Sequence, residues 1–514
     1  MGSILAAYGD RRSQRAPLTD ILSHFPPGFT PRPIQAKALL EIDAAFSSGK
    51  RFVFAELPPG SGKSHLAVTL ARAYGPTYIC TLTKQLQAQY MDLFRQIGAR
   101  ELKGRSAFQC PNCGDTCAIG GKRFRYPKQC EPCDYKIAKK RAFRAPICIC
   151  NYASFIHNVS PTQGGLRPLL VLDEGHSVED TLLDYISITI AAGTLPIPVR
   201  EPFPLANDVD ACFDWLVGFL VDAANYDRER LSEKAEIELE HLEKKAAYAL
   251  ECRDREHWIV EPVEGKTGFA LKPLTVRSFG EERVFQYGER VLLMSATILN
   301  AEKMADSLGI DPAEMAFVSA PCPFPKEHRQ VVASTLNMTM GHRNRSWPAM
   351  VAQIQAIMEG HSEEKGLLLT PSNEMLKYIQ GGLSQDQAHR LVLASGATRL
   401  AEYNRHCDST EPTVLAACGY WEGADLFGDR SRFQIIPAIP RPCWKGQIAA
   451  RGKMDPRWYR MKSIAKLIQG TGRSVRSGSD FCVTYVLDGA LRREAEALDS
   501  LLPDWFREAI VFVG

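Results

Sequence analysis

The sequence lacks long apolar runs, a signal-like start and internal repeats. No stretch comes near the roughly 18 consecutive apolar residues that a membrane-spanning helix needs. The N-terminal residues do not show the basic-then-apolar pattern of a secretory signal. No repeat or low-complexity tract is visible. We therefore expect a globular protein located in the cytoplasm.

A large excess of charge of either sign is also missing. The chain has 62 Lys and Arg residues against 59 Asp and Glu residues, a formal net charge of +3. Since this balance does not indicate a nucleic-acid binder, any basic surface has to be local. At 514 residues the chain is too long for one compact core, so we expect two large domains with insertions.

Strand-like apolar runs alternate with helical stretches in two regions, about 30–180 and 325–490. Alternation of this kind is typical of parallel α/β layers. Between these regions, Asp208 to Glu251 carries apolar residues at steps of three or four and is predicted to be helical. The predicted fold class is therefore α/β with a helical insertion.

A phosphate-binding loop is predicted after the buried strand Phe52–Ala55 and before a helix from His65 to Tyr74. Its glycines permit the tight turn that lets backbone N–H groups surround phosphates. Lys63 would reach the β- and γ-phosphates, and the Ser64 hydroxyl would ligate Mg²⁺. Leu57 stands where the strict pattern has glycine. The residues predicted to bind nucleotide here are Pro59, Gly60, Ser61, Gly62, Lys63 and Ser64.

A second strand-like run, Leu169–Leu172, ends in two adjacent acids. Strand ends of this kind suit an NTPase, because they place carboxylates at the nucleotide edge of the sheet. Asp173 would hold Mg²⁺ through water, and Glu174 would orient and polarise the attacking water.

Three further islands follow strand-like or helix-like segments: Ser295–Thr297, Trp421–Gly428 and Gln469–Arg476. In the last of these, Arg473 and Arg476 are three residues apart and are predicted to project from one helical face. Guanidinium groups aimed at a transferring phosphoryl group stabilise its developing charge.

Together these residues resemble the XPD/DinG-like branch of the superfamily 2 helicases, in the motif order of that family. The chain could be a compact member of this family encoded by a bacteriophage or a mobile element. The matching segments are Arg32–Gln35 (the RPxQ element), Glu56–Ser64 (the phosphate loop), Thr81–Gln89 (motif Ia), Asn151-Tyr152, Asp173–His176 (a DEGH version of the DEAH box), Trp421–Gly428 (WEGxDxxG) and Gln469–Arg476 (QGxGRxxR).

The resemblance implies two RecA-like P-loop motor domains with ATP in the cleft between them. It implies roles in hydrolysis and in its coupling to strand movement for Lys63, Asp173, Glu174, His176, Gln469, Arg473 and Arg476, and contacts to the nucleotide for Gln35, Glu422, Gly423 and Asp425. The implied layout is motor 1 over 1–104, 146–180 and 291–324, a cysteine-rich insertion over 105–145, a helical Arch-like insertion over 181–290, and motor 2 over 325–514.

Five cysteines fall within 24 residues, and such clustering without a secretory signal favours metal over disulfides. The resemblance implies a 4Fe–4S cluster, since soft thiolates suit iron–sulfide cores. The spacing of the two C-x2-C pairs also fits a zinc ribbon, so Zn²⁺ is the alternative. The assigned ligands are Cys110, Cys113, Cys130 and Cys133, and Cys117 could replace Cys113 or Cys130.

The resemblance implies an ATP-dependent DNA helicase that moves 5′ to 3′ on single strands and unwinds forked duplex as a monomer. RNA is not excluded as the substrate, and the sequence does not identify a recruiting protein. Two other hypotheses stay open. One is a translocase that remodels protein–nucleic acid complexes without unwinding; the other is an accessory nucleic-acid-binding factor with a switch ATPase.

Overall fold

The computed structural model describes residues 20–123, 133–338, 343–419 and 426–513. These residues form two compact units. The first comprises the described residues up to Ala55, Lys63–Met294 and Ala301–Val318. The second comprises Glu56–Gly62, Ser295–Asn300 and the described residues from Ser319 onward.

The first unit is built on a seven-stranded sheet with the order β10-β1-β9-β5-β2-β4-β3. The pairs β9/β5, β5/β2, β2/β4 and β4/β3 are parallel. Its strands are β1 (Phe52–Glu56), β2 (Thr77–Thr81), β3 (Ala99–Leu102), β4 (Ile147–Asn151), β5 (Arg167–Asp173), β9 (Gly288–Ser295) and β10 (Met315–Ser319).

The central strands of this sheet are buried along nearly their whole length, as expected for parallel strands covered on both faces. The helices of the unit are α1 (Pro33–Ser47), α2 (Lys63–Tyr74), α3 (Lys84–Phe94), α4 (Cys117–Arg123), α5 (Asp134–Arg144), α6 (Tyr152–Asn158), α7 (Val178–Ile186), α8 (Val209–Asn225), α9 (Glu233–Glu251), α10 (Gly280–Arg283) and α11 (Ala301–Ser307).

The insertion in the first unit contains strands as well as the predicted helices, and these strands were not part of the prediction. A three-stranded antiparallel sheet, β6 (Ile188–Ala191), β8 (Gly268–Pro273) and β7 (Trp258–Pro262), packs with α8 and α9. The segment predicted as helix divides into these two helices. Trp215 of α8 packs between Phe203 and Phe219 and meets Phe269 of β8 edge-on, which closes an apolar core of its own.

The second unit is a seven-stranded sheet with the order β13-β14-β12-β15-β16-β11-β17, and every neighbouring pair is parallel. Its elements are β11 (Val331–Leu336), α12 (Arg343–Gly360), β12 (Gly366–Leu369), α13 (Asn373–Gly382), α14 (Gln385–His389), β13 (Leu391–Leu393), α15 (Arg399–Asp408), β14 (Val414–Ala417), β15 (Phe433–Ile436), α16 (Gly446–Met454), α17 (Pro456–Thr471), β16 (Val483–Asp488), α18 (Ala490–Ala497), α19 (Asp504–Arg507) and β17 (Ile510–Phe512).

Two parallel α/β sheets confirm the predicted fold class. Apolar clusters lie on both faces of the second sheet, one built around Leu367, Leu415 and Ile464 and the other around Met350, Leu368 and Phe433. Among the described helices, none has the length and apolar character needed to cross a membrane.

Candidate nucleotide site and cysteine cluster

The phosphate loop lies between β1 and α2, as predicted. Helix α2 begins at Lys63, two residues before the predicted start, so Lys63 and Ser64 occupy its first turn. Gly60 and Gly62 have φ angles of +72° and +81°, where a side chain would be strained. An anion at this point would meet the backbone N–H groups and the positive end of the helix.

The first loop residues are anchored by hydrogen bonds within the second unit. One carboxylate oxygen of Glu56 accepts bonds from the N–H groups of Ile298 and Leu299, both at 2.9 Å. Burial nevertheless raises the pKa of Glu56 to about 7. Leu57 is buried, and its N–H donates to the Ser295 carbonyl at 2.8 Å. This apolar environment explains why leucine is accepted where the strict pattern has glycine.

The loop also touches the segment that carries the two arginines, again within the second unit. A Cβ atom added to Gly472 would lie 2.4 Å from the Pro59 ring. One added to Gly60 would lie 2.6 Å from Phe324 and 3.4 Å from the Arg476 Cα atom. Glycine is therefore required at both positions for the backbones to approach this closely.

Asp173 ends β5 in a buried position, held by two tyrosines. The Tyr90 hydroxyl donates to its Oδ2 at 2.8 Å, and the Tyr152 hydroxyl donates to its backbone carbonyl at 2.9 Å. Burial raises the pKa of Asp173, and the neighbouring Glu174 carboxylate raises it further, while Lys63 opposes both. A bound cation would compensate this destabilised charge. Tyr90 lies just beyond the segment that resembles motif Ia, and no sequence signal marked it.

Glu174 has a left-handed backbone with φ +56°, unusual for a residue with a side chain. Its N–H donates to Asp173 Oδ1 at 3.0 Å, and its carboxylate lies 3.6 Å from His176 Nδ1. The next residue, Gly175, has little room for a side chain, because an added Cβ would lie 3.0 Å from Leu293 Cβ. The glycine of the DEGH sequence thus fits tight packing against β9.

Gln469 and Thr297 meet in the second unit, as expected for two elements that act together. The Gln469 amide donates to the Thr297 hydroxyl at 3.0 Å, and both side chains are buried. The Thr297 N–H in turn donates to the Ser295 hydroxyl at 3.0 Å. The two islands that the sequence singled out are therefore joined by a direct hydrogen bond.

Arg473 and Arg476 do not share a helical face, and that prediction is wrong. Helix α17 ends at Thr471, and the arginines lie in the turn that follows. The Asp480 carboxylate holds this turn by accepting from the N–H groups of Arg476 and Ser477, both at 3.1 Å. Local capture of backbone N–H groups competes with continuation of the helix. Asp480 is a further positioning residue that the sequence did not reveal.

Of the remaining residues predicted to bind nucleotide, one lies in the described part of the chain and three lie outside it. Gln35 is buried in the first turn of α1, where its side-chain oxygen accepts from the Arg32 N–H at 2.9 Å. Glu422, Gly423 and Asp425 lie outside the described residues, although the preceding strand, β14, is present as predicted.

The cysteines that the structure describes come together in pairs. Cys117 Sγ lies 4.0 Å from Cys133 Sγ, and a Cβ added at Gly120 would lie 2.9 and 3.0 Å from the sulfurs of Cys110 and Cys113. Cys110, Cys117 and Cys133 line one small hollow. Soft thiolates of this kind suit an iron–sulfur group or zinc.

The described thiols nevertheless do not converge on one coordination centre. In the described part of the chain, no three His, Cys, Asp or Glu side chains come close enough to hold a metal ion. Cys130, one of the four assigned ligands, lies outside the described residues. Burial and the neighbouring Cys133 raise the pKa of Cys117 to about 11, so this thiol is protonated unless a cation displaces the proton.

Basic and aromatic side chains surround the cysteines, but some of the basic ones already have acidic partners. Lys122 pairs with Glu236 and Glu240, and Arg123 pairs with Asp115 and Glu233. These contacts tie α4 to α9. Arg105 and Lys139 lie over the Tyr135 ring.

Comparison with known proteins gives one family match and two curated relatives. Residues 354–509 match the helicase C-terminal domain family. The chain is 23% identical over 263 residues to the probable ATP-dependent helicase YpvA of Bacillus subtilis, covering 49% of the chain and 39% of the relative. It is 23% identical over 235 residues to the ATP-dependent DNA helicase YoaA of Escherichia coli, covering 43% and 36% respectively. The matched regions thus span less than half of either relative.

Solved structures share the fold across nearly the whole chain. An XPD helicase structure matches with a TM-score of 0.63 at 13% identity, covering 94% of this chain and 99% of the other. The Xpd4 structure of S. tokodaii matches with a TM-score of 0.58 at 14% identity, covering 94% and 100%.

Proposed function

We propose that this chain is an XPD/DinG-like superfamily 2 helicase and a DNA helicase that moves 5′ to 3′ on single strands and unwinds duplex at forks, a proposal supported by the match to the helicase C-terminal domain family and by the similarity to helicases in sequence and fold. The observation that carries the proposal is the close approach of the phosphate loop to the arginine segment, Pro59 against Gly472 and Gly60 against Arg476. An ATPase needs these two elements at the same phosphates.

Hydrolysis would use residues of both segments. The loop N–H groups and Lys63 bind the phosphates, and Ser64 and Asp173 are the residues that would hold Mg²⁺, which neutralises charge on the phosphate oxygens. Glu174 orients the attacking water and accepts its proton. Arg473 and Arg476 stabilise the charge that develops on the transferred phosphoryl group.

Recognition of the rest of the nucleotide falls to Gln35 and to Glu422, Gly423 and Asp425. Gln469 and His176 couple ATP hydrolysis to movement of the nucleic-acid strand. Gln469 would act through its hydrogen bond to Thr297. Because ATP and ADP contact these residues differently, the equilibrium between open and closed arrangements shifts with each hydrolysis cycle.

The protein would work in the cytoplasm as a monomer.

The cysteine region would hold a 4Fe–4S cluster, with zinc as the alternative. Cys110, Cys113 and Cys133 are three of the proposed ligands, and Cys130 is the fourth. The 4.0 Å approach of Cys117 to Cys133 makes Cys117 the competing choice for that fourth place. Elemental analysis of anaerobically purified Cys117→Ser and Cys130→Ser proteins decides between them, because only loss of a true ligand lowers the bound iron or zinc.

Strand displacement tests the function directly. With ATP and Mg²⁺, we expect the protein to separate a duplex carrying a 5′ single-stranded tail and to leave a 3′-tailed duplex intact. Displacement from the 3′ tail alone would reverse the proposed polarity. Hydrolysis stimulated by single strands with no displacement from either tail would instead identify a translocase that remodels complexes.

A further inference from the structure

Basic charge is concentrated in one short segment of the second unit. Residues 441–466 contain eight Lys and Arg residues and one acid, a net charge of +7, whereas the entire chain has a net charge of +3. The rest of the chain is therefore net acidic. Such a concentration in an otherwise balanced protein marks a local electropositive surface.

The segment folds as residues 441–445 followed by α16 and α17, and we call this the basic hairpin. Its single acid, Asp455, caps α17 by accepting from the Trp458 N–H at 3.0 Å. Glu494 of α18 pairs with Arg441 at 3.0 Å and with Arg460 at 3.7 Å, which joins the hairpin to α18. Asp455 and Glu494 thus serve the structure of the hairpin.

Four cations of the hairpin face solvent. Lys445, Lys453, Arg457 and Lys466 are exposed and form no ion pair with any residue that the structure describes. Long, unpaired basic side chains on one short segment favour binding to a chain of phosphates, which releases condensed counterions.

The hairpin also presents an aromatic platform. The Trp444 side chain is 48% exposed, meets the Tyr459 ring edge-on at 4.7 Å, and lies against Gly452 of α16. A Cβ atom at position 452 would lie 2.4 Å from the Trp444 ring, so glycine is what allows the indole to pack onto the helix. The Tyr459 hydroxyl donates to the Pro442 carbonyl at 2.8 Å and fixes the support beneath the indole. An exposed indole whose position is fixed by packing is suited to stacking on a base.

We infer that the basic hairpin binds single-stranded nucleic acid, with Lys445, Lys453 and Arg457 contacting phosphates and Trp444 stacking on a base. The inference deepens the proposed function and rests on it. Cations alone would suit any polyanion, but cations beside a supported, exposed indole match the backbone and bases of a single strand.

Binding of fluorescein-labelled oligothymidylate, followed by anisotropy at several salt concentrations, tests the inference. The test variant is K445E/K453E/R457E, and the matched control is K326E/K377E/R493E, which reverses three exposed cations elsewhere in the second unit. We expect the test variant to bind at least tenfold more weakly, with a salt slope smaller by about 2, since each lost phosphate contact removes about 0.7. Equal loss in the control would overturn the inference, because net charge alone would then account for binding.

The stacking role is tested separately with Trp444→Ala, for which we expect binding about fivefold weaker or worse, and with Trp444→Phe, which should recover most of it. An alanine variant that binds as the unaltered protein does would remove Trp444 from the inference. Polyglutamate that competes as well as unlabelled oligothymidylate would show a general anion site and also overturn it.

Binding of a fluorescent ATP analogue and thermal unfolding are measured for every variant. Retained nucleotide binding and melting temperature with weakened strand binding support the hairpin assignment. If the unaltered protein binds the oligonucleotide and hydrolyses ATP while all the hairpin variants match it, the inference fails and the proposed function stands. If the unaltered protein neither binds single strands nor is stimulated by them, the proposed function itself fails.

Discussion

At the scale of single residues, the acids of the site depend on neighbours that are far away in the chain. Asp173 carries a charge in a buried position, and Tyr90, 83 residues earlier, donates a hydrogen bond to its carboxylate. Glu56 accepts two backbone N–H groups from a segment more than 240 residues later. Since hydrogen bonds to a buried carboxylate contribute about 1–3 kcal/mol each, removing one partner should be measurable.

Tyr90→Phe removes only the hydroxyl that donates to Asp173. We expect turnover of ATP to fall about fivefold or more at saturating nucleotide, because the carboxylate loses the bond that orients it. Nucleotide affinity should change less. Steady-state kinetics checks this, and Phe46→Leu, a substitution at a buried position of α1, is the control for general core damage. Unchanged turnover in Tyr90→Phe would contradict a positioning role.

Glu56→Gln should show the effect of a raised pKa on stability. The folded protein keeps this carboxyl protonated up to pH about 7, whereas the unfolded chain releases the proton near 4.5. Stability from this group is therefore full below pH 4.5 and falls as the pH rises through 7. Glutamine stays neutral, so the variant should be more stable than the unaltered protein at pH 8, by about 1–3 kcal/mol, and nearly equal at pH 5.

Melting temperatures of the two proteins at both pH values check this difference. Glu411→Gln, at an exposed position of the second unit, provides the control and should show no such dependence. A Glu56→Gln protein that differs from the unaltered one by the same amount at both pH values would contradict the assignment.

At the scale of elements, the segment after β9 and the C-terminal end of α17 are joined by the bond from Gln469 to Thr297. Each segment is short, and neither is bonded to the other by sheet pairing. A bond between two buried polar groups fixes their relative position, because leaving either group unpaired costs free energy. We therefore expect this bond to transmit changes at the nucleotide.

Thr297→Val keeps the shape of the side chain and removes its hydroxyl. Stimulation of ATP hydrolysis by single strands should fall about fivefold or more, as expected for a lost buried hydrogen bond of about 1 kcal/mol or more. Thr297→Ser retains the hydroxyl and should behave as the unaltered protein does. Comparing turnover with and without oligonucleotide measures the effect, and equal stimulation in the valine and serine variants would exclude a coupling role.

At the scale of the whole molecule, the proposed function requires that ATP binding and strand binding use different surfaces. In the proposal, the phosphate loop, with Lys63 in the first turn of α2, binds the nucleotide and the basic hairpin binds the strand. A change at one surface should then leave the other largely intact. The two activities are therefore separable by substitution.

Lys63→Ala tests this separation. Loss of the charge that meets the phosphates should abolish ATP turnover and strand displacement, while oligonucleotide binding should stay within about threefold of the unaltered protein. Lys37→Ala, at an exposed position on α1, is the matched control. Retained turnover in Lys63→Ala would remove the phosphate-loop assignment.

The two parallel α/β sheets, and the acidic, basic and glycine residues proposed to bind the nucleotide, could be predicted from the sequence alone. Apolar runs bounded by glycine and acids report local structure, and phosphate-loop residues such as Gly60 and Lys63 are neighbours in the chain. The strands of the helical insertion were not predicted, because the short strands around Ile188 and Phe269 pair across about 80 intervening residues. Their pairing is set by a shared core and not by local periodicity.

Packing in three dimensions selects several of the residues that support the site. Tyr90 and Trp444 carry no motif, and each acts through a partner that packing brings to it. The end of α17 before Arg473 has a local cause that the spacing of the arginines did not reveal, because the carboxylate of Asp480 holds the backbone N–H groups of Arg476 and Ser477, four and three residues earlier. Hydrogen bonds between distant segments depend on how the segments pack, and this information is not present in any local stretch of sequence.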